Sequence, residues 1–114
     1  MKKKRYPKKG DIVWCALDPI KGHEQAGTRP CVVISGTLFN QKTGTAVVCP
    51  ITSTVRTDYY FRVHIDTGSV GGFIMVDQIR TVDWKERVRR IEGAVDTATL
   101  REVYARLAVL FDTA

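Results

Sequence analysis

Apolar residues fall in short runs along this chain, and only residues 97–111 carry a helical period. Residues 11–17 (Asp11-Ile12-Val13-Trp14-Cys15-Ala16-Leu17) predict a strand that opens after Gly10. Asp18-Pro19 ends it, because proline cannot donate to a ladder. Residues 31–34 are continuously apolar, as in a strand buried on both faces. Residues 37–41 predict a single helical turn, Lys42-Thr43-Gly44 a turn, and residues 45–49 the next strand. Pro50 interrupts that strand and leaves residues 51–54 at its end. Residues 55–58 form a polar loop. Residues 60–66 then alternate, with Phe61, Val63 and Ile65 on one face and Arg62, His64 and Asp66 on the other. Period two is the mark of a half-buried strand. A turn at 68–72 leads to a strand at 73–78, a short strand at 81–84, a helical turn at 85–90 and a last strand at 91–95. In 97–111, Leu100, Val103, Tyr104, Leu107, Leu110 and Phe111 follow the three-and-four spacing of an apolar helix face. Thr99 and Glu102 have capping-box spacing, and Asp96 is the alternative cap.

Many short strands, frequent turns and one terminal helix define a mainly β protein. The expected architecture is a small, strongly bent antiparallel sheet or barrel closed by the C-terminal helix. The pattern alone leaves the topology open.

Composition narrows this. The 114 residues suffice for one small domain, and 44% hydrophobic content suits a folded one. The net charge is +6. Lys2, Lys3, Lys4, Arg5, Lys8 and Lys9 carry six positive charges ahead of the first strand, which divides the chain into a basic tail (1–9) and a domain (10–114). Without them 12 basic residues face 12 acidic ones, so an anion site in the body needs local placement of arginines. The tail reads either as a solubilising extension or as a mobile electrostatic aid. Cys15, Cys31 and Cys49 are odd in number, lie in apolar runs and form no CxxC pair, which predicts buried free thiols in a reducing compartment. No apolar h-region follows the N-terminal lysines, and no run approaches the length of a membrane span. A cytoplasmic protein with no membrane association and no metal or other cofactor is expected.

The chemistry concentrates in residues 22–30, Gly22-His23-Glu24-Gln25-Ala26-Gly27-Thr28-Arg29-Pro30. An imidazole, a carboxylate, a carboxamide, a hydroxyl and a guanidinium stand within nine positions, where a plain connector needs only turn residues. Loops between strands commonly carry function. Taken singly, each group also has a structural reading: a surface ion pair for Arg29, a β-branched strand residue for Thr52, a strand end for Asp77 and Gln78.

The order of motifs resembles the MazF/PemK family of toxin endoribonucleases. The resemblance rests on Trp14, Asp18-Pro19, the 22–30 loop, Val32-Val33-Ile34-Ser35, Phe39-Asn40-Gln41-Lys42-Thr43-Gly44, Cys49-Pro50-Ile51-Thr52-Ser53 and Asp77-Gln78-Ile79-Arg80-Thr81. It runs in one register from about Gly10 to the C-terminal helix. It implies an SH3-like barrel of the type shared with the CcdB toxins, a homodimer, and metal-independent cleavage of single-stranded RNA under the control of a cognate antitoxin. In that family the 2′-OH attacks the adjacent phosphorus and leaves a 2′,3′-cyclic phosphate and a 5′-OH end. Arg29 matches the catalytic arginine, Thr52 the catalytic threonine and Glu24 the loop glutamate. Glu24 would orient Arg29 or accept the 2′-OH proton. His23 stands where other members often have serine and is the second candidate for the base. Gln25, Thr28, Ser53, Asp77, Gln78 and Arg80 are the expected RNA contacts, with His23 among them if it is not the base. Tyr59 and Tyr60 could stack on unpaired bases. A CcdB-like topoisomerase poison and a non-catalytic RNA-binding barrel are the alternatives on the same fold.

Overall fold

The computed structural model describes residues 5–17 and 27–112. Within them run β1 (Asp11–Ala16), β2 (Thr28–Val33), α1 (Thr37–Thr43), β3 (Thr45–Thr52), β4 (Arg62–Asp66), β5 (Gly71–Met75), a 3-10 turn (Val76–Gln78), β6 (Arg80–Asp83), α2 (Trp84–Arg87), β7 (Val88–Ala94) and α3 (Thr97–Leu110). All strand pairs are antiparallel, in the order β4-β5-β3-β2-β1-β7, with β6 also on β3. β4 and β7 are the two ends, so the bent sheet does not close on itself. The mainly β architecture with a C-terminal helix is the expected one.

The central strands are apolar on both faces because each face has its own core. Ile12, Val32, Cys49, Ile51 and Ile74 join Val103 of α3 in one cluster. Val13, Cys31, Val33, Val48 and Trp84 form the other. The alternation in β4 also holds: Val63 and Ile65 are buried, His64 and Asp66 exposed.

Several boundaries differ from the sequence pattern, each for a local reason. β2 begins at Thr28, so Thr28, Arg29 and Pro30 are strand residues and not loop. They pair with β1 alone, and β3 joins only from Cys31 onward. Proline is tolerated in such a single-neighbour stretch. α1 continues through Lys42 and Thr43 and stops at Gly44, whose φ of 73° provides a left-handed cap with its N–H on the Asn40 carbonyl. Pro50 does not interrupt β3 but lies opposite Cys31 inside it. Beyond β2, β3 pairs with β6 up to Val48 and with β5 from Ile51. The proline sits at the exchange of partners, where β3 has left β6 and not yet met β5. β5 starts at Gly71, and residues 76–78 turn out of the ladder as Val76 N–H donates to the Phe61 carbonyl. β7 starts at Val88. Asp96, not Thr99, caps α3 by accepting from Thr99 N–H at 2.8 Å. Of the helix's apolar stripe, Val103 is fully buried, while Phe111 remains 62% exposed.

Asn40 joins four segments from a fully buried position. Its Nδ2 donates to the Pro7 and Ser35 carbonyls at 3.0 and 3.3 Å, and its Oδ1 accepts from Ser35 Oγ at 2.5 Å. Trp84 Nε1 donates to its backbone carbonyl at 2.7 Å. Asn40→Ala leaves Pro7 O and Ser35 Oγ without these partners and is expected to cost about 3 kcal/mol. Urea unfolding checks this through a lower midpoint at unchanged slope. The bond to Thr99 holds the Asp96 carboxyl below the usual carboxylate range. A depressed folded-state value means the cap contributes at neutral pH and loses its contribution as pH falls through that value. Asp96→Ala should therefore lower the melting temperature at neutral pH and make little difference near about pH 2.

Candidate active site

β2 and β3 pair through Cys31 and Pro50 and then separate, because β3 turns away to join β5. Arg29 lies two residues before Cys31, and Thr52 two residues after Pro50. They occupy the next same-facing positions on the two arms of this fork. A cavity of about 490 Å³ fills the gap, with Arg29, Thr52, Trp14, Thr28 and Ser53 on its walls and Pro30, Ile51 and Val70 adding apolar surface.

Thr52 is fixed through its backbone. It pairs with Phe73 in β5, and the neighbouring Gly72 has a φ of 138°. A Cβ on Gly72 would collide with the Thr52 carbonyl oxygen, so only glycine permits this approach. Thr54 N–H donates to Thr52 Oγ1 at 3.2 Å. The hydroxyl thus serves as acceptor to its own chain and keeps its proton for another group.

Arg29 is exposed and has no carboxylate within ion-pair distance among the described residues. It also lines a second cavity, about 230 Å³, together with Leu17, Pro50, Met75, Gln78 and Arg80. Arg80 Nη2 donates to the Leu17 carbonyl at 3.0 Å, which holds that guanidinium at the end of β1. Arg29 therefore stands on the ridge between two concavities, with Thr52 and Ser53 on one side and Gln78 and Arg80 on the other.

Asp77 lines neither. Its carboxylate accepts from Tyr59 Oη at 2.5 Å and from Arg62 Nη1 at 3.0 Å. Arg56 stacks over the Tyr59 ring, 3.9 Å from its centre. The hydrogen bond to Asp77 raises the Tyr59 phenol above its usual range. This cluster ties the segment after β3 to the turn that presents Gln78. Tyr60 is 49% exposed, with Arg106 stacked on it. His23, Glu24 and Gln25 lie outside the described residues.

All three cysteines are buried and none forms a disulfide. Burial pushes the Cys49 thiol up to about 12. A hydrogen bond with Cys15, then burial, raises Cys31 still further. Protonated, enclosed thiols are not nucleophiles. Sequence reasoning names Trp14 only as part of the motif order, and it misses the parts that Trp14 and Gly72 play in the site. Trp14 forms a wall between buried Val13 and Cys15, and only the strand alternation hints that it points the other way. Gly72 looks like an ordinary turn glycine until its contact with Thr52 is seen.

Residues 8–111 match the family described as PemK-like, MazF-like toxin of type II toxin–antitoxin system. The chain belongs to this family. It is 36% identical over 104 residues to the endoribonuclease toxin MazF of Escherichia coli K12, covering 91% of this chain and 93% of that protein. It is 35% identical to the E. coli endoribonuclease PemK, over 96% and 86% of the two chains. Among solved structures, MazF from Deinococcus radiodurans superposes with a TM-score of 0.78 at 34% identity, over 94% and 97% of the two chains. The MazE–MazF structure from the same organism gives 0.81 at 33% identity, over 97% and 100%. These named relatives are endoribonucleases or MazF chains, which favours the expected RNA-cleaving toxin over a topoisomerase poison. No helix among the described residues is long and apolar enough to cross a membrane.

Gly72→Ala should displace Thr52 and reduce RNA cleavage. Gly68 has a φ of 90° and nothing within 4 Å of a built Cβ, so Gly68→Ala carries the backbone strain without the collision. Cleavage rates of the two folded variants separate these effects, and only Gly72→Ala is expected to lose activity strongly.

Proposed function

We propose that this toxin cuts single-stranded RNA without a metal, by attack of a 2′-OH on the adjacent phosphorus. The O2′–P bond forms as the P–O5′ bond breaks, leaving a 2′,3′-cyclic phosphate and a 5′-OH end. The observation that carries this reading is the pairing of Arg29 and Thr52 on the two arms of one fork. A guanidinium is planar and permanently charged, and it can grip two phosphate oxygens at once. The Thr52 hydroxyl donates to a third without adding charge. Together they stabilise the crowded anionic phosphorane. Arg29 also donates a proton to the leaving 5′-oxygen in this reading. The 2′-OH proton goes to Glu24 or to His23. Thr28, Gln25 and Ser53 contact the nucleotides at the cut, while Gln78 and Arg80 receive the strand in the second cavity. Asp77 orients Gln78 in that groove through its hold on Tyr59.

Family membership and the MazE–MazF pairing in Deinococcus radiodurans support a MazE-like antitoxin as partner. Its disordered, acidic segment would fold along the groove and mask Arg29. The working unit is a homodimer in the cytoplasm.

Mapping of 5′-OH ends on a long RNA in the presence of EDTA tests the reaction. Cuts at a short recurring motif are expected in single-stranded regions, with a paired duplex of the same sequence spared, since A-form pairing hides the base edges. Loss of activity in EDTA and its return with magnesium would overturn the mechanism. Arg29→Ala and Thr52→Ala should each slow single-turnover cleavage by about 100-fold or more. Thr52→Ala should cost about 1 kcal/mol of stability or less. Arg29→Lys keeps the charge but loses the two-pronged grip and should also fall well below the parent. His23→Ser is expected to change affinity or motif preference and to leave the pH profile alone. A missing limb near neutral pH would instead assign the base to His23.

A further inference from the structure

A second positive cleft, about 230 Å³, lies along the outer edge of β7, lined by Arg5, Val88, Arg89, Arg90 and Ile91. β7 ends the sheet, and this edge faces no other strand among the described residues. The cleft and the cavity between Arg29 and Thr52 share no wall residue but are linked through neighbouring strands. In the strand register, Pro30 pairs with Trp14 and Trp14 with Arg90, so the three lie side by side across β2, β1 and β7. Pro30 and Trp14 line the active-site cavity, and Arg90 lines the cleft. The Arg90 guanidinium stands over the Trp14 ring at 4.6 Å and joins the two. From β2 to β7 is two strand spacings, about 10 Å.

Charge along this track is unbalanced. Glu92 pairs with Arg90 at 3.0 Å. Arg89 donates to the Glu86 backbone carbonyl and has no carboxylate within ion-pair distance among the described residues. Arg5 comes from a different segment and is held in place by its successors. Tyr6 packs against the second core, and Pro7 is fully buried with its carbonyl bonded to Asn40. Lys2, Lys3 and Lys4 precede Arg5 in the sequence. Arginines on an edge strand also discourage the addition of another strand. That purpose needs only charges on the strand itself, whereas here an anchored segment brings in Arg5 as well.

We propose that the β7 edge is a second RNA-binding site, which takes the phosphates of nucleotides flanking the cut while the Trp14–Arg90 stack bridges them to the active site. This rests on the RNA-cleaving reading above. Guanidinium groups bind phosphates in pairs of hydrogen bonds, and planar stacks accept unpaired bases of any sequence. The edge would therefore add affinity and salt dependence without changing the cleavage motif.

The test uses two synthetic RNAs that share a cut site mapped on a long transcript, one of about 8 nucleotides and one extended on both sides to about 24, compared at several salt concentrations. Binding is measured in the Arg29→Ala background so that the RNA stays intact. For the long RNA, adding Arg5→Gln and Arg89→Gln should lower the slope of log K against log salt by about 1.4, or about 0.7 for each lost phosphate contact. Cleavage of the short RNA by an Arg5→Gln/Arg89→Gln protein should equal that of the parent. Arg89→Lys, which keeps the charge, should preserve most of the slope. An unchanged slope, or equal losses for short and long RNA, would overturn the proposal. So would an unchanged RNA slope accompanied by lost binding to vesicles of anionic lipid, which would assign the edge to a membrane surface. Failure of the parent to cut either RNA would overturn the reaction instead, while the slope would still report on the edge.

Discussion

The site depends on the exchange of partners by β3. A strand that pairs with β2 and β6 along its first half must leave one of them to reach β5, and it does so at Pro50. A wedge opens between β2 and β3 where their hydrogen bonding stops. The residues that would have been cross-strand neighbours become opposing walls of a cavity. Thr52 is then held by β5, and the absence of a side chain at Gly72 lets the two backbones approach. Arg29 is held from the other side by β1. Each catalytic candidate thus belongs to a different pair of strands, and the gap is preserved because neither can move to close it. Sites built on strands keep their geometry better than sites built on loops.

A rigid fork needs a rigid base. β1, β2 and β3 are packed on both faces, with α3 under one and α2 near the other. Burial on both sides fixes the register, since a slip of one residue would exchange the two cores. The Asn40 network locks the N-terminal segment and α1 to this base through buried polar bonds. Such bonds are directional and add specificity where apolar packing would tolerate sliding.

Strands, the terminal helix and the candidate site residues were legible in the sequence because they leave local signals. Periodicity marked β4 and α3, and the ordered motifs singled out Arg29 and Thr52. What the sequence hides is long-range. Pro50 looks like a strand breaker because propensity is local, whereas its tolerance comes from strands dozens of residues away. Thr28, Arg29 and Pro30 look like loop because they are polar and contain proline, yet β1 supplies their ladder. The capping-box spacing at Thr99 lost to Asp96, whose side chain is placed one turn earlier on the true helix start. Trp14 belongs to the ordered motifs but nothing local marks it as a cavity wall, and Gly72 carries no signal of its own. Their roles follow from neighbours fixed by the fold.

The electrostatics of Arg29 follow from what lies behind it. Arg29 is paired in register with fully buried Cys15, and Cys31 is two residues along its own strand. The guanidinium field favours a thiolate at Cys31. A thiolate there would partly neutralise the arginine and compete with a phosphate for it. The hydrogen bond between Cys31 and Cys15, reinforced by burial, acts in the opposite sense and is stronger, so the thiol keeps its proton. Two buried, neutral thiols beside Arg29 in the sheet therefore leave its positive charge uncompensated from the core side. A carboxylate in either position would have paired with Arg29 from below, and a larger apolar side chain would have had to displace a fully packed core. Small, polarisable and protonated, cysteine satisfies both limits, which gives these residues a place in the site without any reaction of their own.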